Sequence, residues 1–171
     1  MSPRVGDPMT PAQAAFWERF VRDTGQAGAL REMDAFGDSE AMKDELLALV
    51  LAGVKRATTS LARWYDPDTR PRPGDLSLIT DGRGAPACII RTTQVDVTPI
   101  CDVDAEFAYA EGEGDRSLEY WLAEHRRFFM LEAEQHGFEY SDDLDVVCER
   151  FECIWPLASQ PARGPGAAGR D

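Results

Sequence analysis

The sequence has few of the residues that announce common catalytic centres. Its 171 residues include two histidines, His125 and His136, and neither stands in an HExxH or HxE pattern. A zinc centre or other metal site is therefore not expected. The four cysteines, Cys88, Cys101, Cys148 and Cys153, never form a CxxC pair. Each lies in or beside an apolar, strand-like segment, which reads as reduced, partly buried thiols. GxSxG, P-loop and dinucleotide-binding fingerprints are all missing. No apolar run approaches the roughly 18 residues that span a bilayer. The opening MSPRVGDPMT lacks the apolar centre of a signal peptide. A cytoplasmic protein without a membrane partner is expected.

Positive charge is also scarce. Eighteen Lys and Arg face 31 Asp and Glu, a formal net charge of −13. That balance argues against non-specific coating of DNA or RNA, which relies on many cation–phosphate contacts. Against this background one stretch stands out. Residues 53–66, GVKRATTSLARWYD, gather Lys55, Arg56 and Arg63 with Thr58, Thr59, Ser60, Trp64 and Tyr65.

The remaining pattern is that of one α+β domain. Residues 1–9 read as a disordered leader and 157–171, rich in Pro, Gly and Ala, as a disordered tail. Thr10 and Pro11 suit the cap and first position of a helix whose apolar stripe is Phe16, Trp17, Phe20 and Val21, ending at Gly25. A second helix is predicted from Asp38 or Ser39 to about Gly53. Ala57–Leu61 reads as a short strand. Leu76–Thr80 alternates as a half-buried strand does, and residues 75–97 read as a hairpin around the DGRG turn. A short helix over 104–110 precedes the turn EGEGDRS. Ser117 then caps a helix closed by Gly137, and Val146–Trp155 is the last strand. Short turns between strands point to a small antiparallel sheet or barrel. No sequence feature assigns an oligomeric state.

Three places could carry chemistry. Lys55 lies just past a helix end, where a cation is electrostatically favoured without any function. A buried lysine can also bind an anion or act as a base, and the Thr58 hydroxyl can act as a nucleophile beside one. Glu111–Asp115 is a solvated acidic turn, a set of carboxylates that raise one another's pKa and so offer a general acid, or a set of oxygen ligands for a divalent cation. His125 is the titratable group on the apolar face of its helix, a position that more often holds a core histidine. Trp64 and Tyr65 either cover the core or stack on a base.

Taken in order, GVKRATTSL, PRPGDLSLI, FAYAEGEGDRSLEYW with HRRFF, and DVVCERFECIWP resemble bacterial ASCH domain proteins, relatives of the PUA RNA-binding domain. The resemblance covers about residues 10–156. It implies a PUA-like small β-barrel flanked by α-helices, with a cleft beside the barrel. It implies RNA or a nucleoside as ligand, and a hydrolytic activity that is either ribonuclease-like or directed at the amide of N4-acylcytidine. Its catalytic set falls on Lys55, Thr58 and Glu113, with Glu111 as the second candidate for the acid. In deacylation Thr58 would attack the carbonyl, Lys55 would take its proton and Glu113 would protonate the amine. Arg56, Ser60, Arg63, Trp64, Tyr65 and Glu111 are the expected ligand contacts. No cofactor is implied, although a ribonuclease activity would admit a divalent cation. The alternatives are a non-catalytic RNA-binding module and a regulatory protein that binds a small ligand.

Overall fold

Helix α1, Pro11–Thr24, begins with a reciprocal cap. The Gln13 N–H donates to the Thr10 hydroxyl, and the Gln13 side-chain oxygen accepts from the Thr10 N–H. Gly25 ends the helix in the left-handed conformation, as its position predicts. The Gln13 amide also donates to the Gly84 carbonyl at 3.0 Å, which ties α1 to a distant turn. The computed structural model describes residues 8–26 and 28–156. The expected tail and most of the expected leader lie outside the described residues.

The next elements are β1 (Leu30–Asp34), α2 (Glu40–Leu51, capped by Ser39), β2 (Ala57–Leu61), β3 (Leu76–Thr80) and β4 (Pro86–Pro99). Then follow α3 (Ala105–Glu111), α4 (Leu118–His136) and β5 (Asp145–Trp155). The Ser117 hydroxyl caps α4 by accepting from the Tyr120 N–H, and Gly137 closes it. Among the described residues no helix is long and apolar enough to cross a membrane.

The five strands form one sheet in the order β1-β3-β4-β5-β2. The β3–β4 hairpin is antiparallel, as expected, and so are β4–β5 and β5–β2. Strand β1 is a correction. It pairs parallel with β3, and the sequence reading has no strand there. LREMD offers two apolar residues among three charged ones, too little pattern to predict a strand. Its pairing comes from β3, not from its own periodicity. A second correction concerns β3, where the alternation in LSLIT predicts one wet face. All five residues are buried, because β3 lies between two strands and under two helices.

The core has three parts. Phe20 of α1 packs with Met33, Leu76, Leu78, Ile89 and Trp155. Leu46, Leu47 and Val50 of α2 pack with Phe36, Ile79, Cys88, Ile90 and Phe151. Phe107 of α3 and Trp121 and Phe129 of α4 cover Ala57, Leu61, Val146 and Cys148. Helices therefore flank the sheet, which curls. Residues of its two edge strands, Glu32 and Asp34 of β1 and Thr58 and Ser60 of β2, line one common cavity. This is the PUA-like α+β architecture. All four cysteines are free, with Cys88 and Cys148 buried, Cys153 half-buried and Cys101 exposed.

Candidate functional site

The site begins with a backbone contact. Gly112 caps α3 in the left-handed conformation, with φ 77°. A β-carbon there would stand 2.7 Å from the Val54 carbonyl oxygen and 2.9 Å from the Lys55 nitrogen. Only glycine lets the end of α3 approach the start of β2 this closely. The Arg56 N–H donates to the Ala110 carbonyl at 2.8 Å and fastens the two segments. From the other side, the Val54 and Lys55 N–H groups donate to the Leu49 carbonyl of α2.

This stitching brings Lys55 against Glu111 and Glu113. The Lys55 ammonium donates to Glu111 Oε2 at 3.0 Å and to Glu113 Oε1 at 2.7 Å. Lys55 and Glu111 are almost wholly buried, at 2% and 1% exposure, whereas Glu113 is half-buried. The other Glu111 oxygen accepts from the Trp121 indole N–H at 2.9 Å and from the Thr59 hydroxyl. His125 stacks on Trp121 with ring centres 4.0 Å apart, and its Nε2 lies 3.5 Å from the same oxygen. Its Nδ1 faces the Trp121 carbonyl at 2.9 Å. The ammonium also lies 5.3 Å from the centre of the Phe36 ring.

The electrostatics follow from this packing. Burial by itself lowers the Lys55 pKa, but the Glu111 and Glu113 carboxylates outweigh it and hold the value above normal. Burial pushes the Glu111 carboxyl up, and Lys55, with His125 and Thr59, overcomes that and holds it well below the usual carboxylate range. A lysine held charged in this way donates hydrogen bonds. It is a poor acceptor for the Thr58 proton, which is the role the resemblance implies for it.

Lys55 and Glu113 lie on the wall of a cavity of about 350 Å³ that Thr58, Ser60, Trp64 and Tyr65 also line. The hydroxyl bonded into the lysine cluster is that of Thr59, next to the predicted Thr58. Ser60 and Tyr65 share a hydrogen bond of 2.9 Å. Trp64 is 42% exposed and donates to Glu132 at 3.4 Å. Arg56 and Arg63 are exposed and outside the lining. The Arg63 guanidinium stacks on Phe138 at 3.5 Å.

Several lining groups were not predicted. Glu32 and Asp34 come from the unpredicted strand β1, and Glu149 from β5. Burial, the Asp34 charge and the Glu149 charge push the Glu32 carboxyl up to about 7, although the Arg31 guanidinium pulls the other way. Burial also raises Glu149, against the Thr92 hydroxyl that donates to it at 2.6 Å. His125, read as a core histidine, lines the cavity too. The one sequence signal for Glu149 was an acid amid the apolar run VVCERF.

The ASCH domain family profile matches residues 32–155. The chain belongs to the ASCH domain family. A crystal structure of an ASCH domain from Lactobacillus crispatus JV V101 is 32% identical and superposes with a TM-score of 0.79. The match covers 87% of this chain and 98% of that one. A second crystal structure, of a protein from Enterococcus faecalis V583, is 34% identical with a TM-score of 0.77. It covers 85% of this ASCH protein and 94% of the other chain. No curated protein matches. The matched span of this ASCH domain contains Lys55, Thr58, Glu111, Glu113 and every strand except the first two residues of β1.

Proposed function

We propose that the cleft recognises a nucleobase, presented as a free nucleoside or as an unstacked base of single-stranded RNA. The observation that carries this reading is the make-up of the cavity wall. Its volume of about 350 Å³ is at the small end of the roughly 300–1,000 Å³ common for ligand sites. Phe36, Trp64 and Tyr65 supply aromatic surface on which a base can stack. Seven lining residues are Asp or Glu and two are Lys or Arg. Carboxylates accept hydrogen bonds from base amino groups, and Lys55 donates to a base carbonyl. The same excess of carboxylates repels a phosphate. The wall thus favours the base edge over the phosphodiester, and an amide-directed activity over a ribonuclease-like one.

A second reading adds chemistry, because Thr58 lines the wall that holds Lys55 and Glu113. In hydrolysis of an acyl amide on a base, Thr58 attacks the carbonyl carbon. The Lys55 ammonium stabilises the oxyanion and Glu113 keeps that ammonium in place. Incubation with labelled single-stranded RNA and, separately, with N4-acetylcytidine tests both readings. Retention of either ligand without turnover supports recognition alone. Turnover that is lost in Glu113→Ala supports the hydrolase. If neither compound is bound nor processed, both readings are wrong.

A further inference from the structure

With Lys55 held charged, the hydrolytic reading lacks a group to accept the Thr58 proton. We propose that Glu149 is that group, taking the proton from Thr58 and returning it. The proposal rests on the hydrolytic reading above.

The sheet register carries the argument. Thr58 of β2 is directly paired with Glu149 of β5 in an antiparallel ladder. Residues so paired point to the same face, with β-carbons about 4.5–5.5 Å apart. Both residues line the cavity. One Glu149 oxygen, Oε1, accepts the Thr92 hydroxyl at 2.6 Å, which fixes the carboxylate and leaves Oε2 to receive a proton. The other nearby carboxylates are committed. Glu32 is bonded to Arg31, and Asp34 accepts from the Ala35 N–H. Glu111 accepts from Lys55, Trp121 and Thr59, and Glu113 is bonded to the ammonium. Thr59 cannot replace Thr58, because its hydroxyl is bonded into the Glu111 cluster.

The charged and titratable groups that act on Glu149 are Arg31, Glu32 and Asp34 of β1, Asp75 ahead of β3, and Tyr65 after β2. Carboxylates outnumber Arg31 among them. Together with burial they increase the proton affinity of Glu149, as a base for a hydroxyl requires.

The steps balance. Thr58 Oγ1 bonds to the acyl carbon as its proton moves to Glu149, and the carbonyl π pair becomes the oxyanion beside Lys55. The oxyanion collapses, the C–N bond breaks, and the Glu149 proton passes to the departing amine. Water then attacks the Thr58 ester and gives its proton to Glu149. The Thr58 oxygen leaves with that proton, which yields the free acid and restores the enzyme.

The test is steady-state hydrolysis of N4-acetylcytidine from about pH 5 to 9. The wild type is compared with Glu149→Gln, Glu149→Asp and Thr92→Val, each checked for folding by circular dichroism. Glu149→Gln is expected to lower kcat about a hundredfold or more with KM within a few-fold, and to abolish the acid limb of the pH profile. Glu149→Asp should recover part of the rate. Thr92→Val removes a bond that favours the carboxylate, so its acid limb should move to higher pH. An active wild type whose folded Glu149→Gln variant keeps the same rate and acid limb overturns the proposal alone. If Glu149→Gln does not fold, an acid limb that does not move in Thr92→Val overturns it. A wild type that hydrolyses no acylated nucleoside overturns the hydrolytic reading and the proposal together.

Discussion

The Lys55 ammonium and the Glu111 carboxylate are buried together, 3.0 Å apart, at the meeting point of β2 and α3. Neither charge could be left alone at that depth. Lys55→Met strands the Glu111 carboxylate, and removing one partner of a buried pair costs about 3–5 kcal/mol. The double variant Lys55→Met/Glu111→Gln should be more stable than Lys55→Met by at least about 1 kcal/mol. Urea denaturation of the single and double variants checks both expectations.

Gly112 separates a conformational requirement from a spatial one. Gly112→Ala places a β-carbon into the Val54 carbonyl, on a backbone that already has positive φ. It should cost more than about 2 kcal/mol. Gly53 has nearly the same φ, 70°, but open space around it. Gly53→Ala should cost only roughly 1 kcal/mol. A comparable loss in both variants would mean that the close approach of α3 to β2 is unimportant.

Glu32 gives the fold a pH dependence. Its folded pKa of about 7 stands above the ordinary 4.5, so the folded state holds the proton more tightly than the unfolded state. Stability from this group is complete below the ordinary value and is lost as pH rises to about 7. Glu32→Gln should therefore raise the Tm at pH 8 and leave it nearly unchanged at pH 4.5, with a difference of order 2 kcal/mol at the higher pH. Thermal melts at the two pH values measure this. Equal effects at both would contradict the burial argument.

Trp64 tests the aromatic wall. It lies edge-on to His136 and Phe138, with ring centres 4.8 and 5.9 Å away, and 42% of its surface is exposed. If a base stacks there, Trp64→Ala should weaken nucleoside binding by about 1–3 kcal/mol. Thermal stability should also fall, by roughly 2 kcal/mol, because more than half of the side chain is buried against the His136 and Phe138 rings. Binding is therefore compared at a temperature where both proteins are folded. Fluorescence titration of the variant against the wild type reads the difference.

The sequence made part of this site legible. Lys55 stood out because a cation beside three hydroxyl residues was out of keeping with so acidic a chain. Helix ends at Thr10, Ser39, Ser117 and Gly137 were visible because caps are local chemistry. The Glu111 network was not visible, since it joins Lys55 to Thr59, Trp121 and His125 across two helices and a strand. Glu32 and Asp34 were hidden for a different reason. Their strand takes its place from β3 in parallel register, and five mixed residues carry no period of their own. Arg56 and Arg63 illustrate the reverse, as sequence neighbours of the site whose side chains stand outside the cavity wall.

Isothermal titration with cytidine, cytidine 5′-monophosphate and a short single-stranded RNA tests the central claim most directly. The account predicts that the nucleoside binds, that a 5′-phosphate adds no affinity, and that binding changes little between about 50 and 200 mM salt. Binding confined to phosphorylated ligands with a steep salt dependence would contradict it, as would no binding of any of the three.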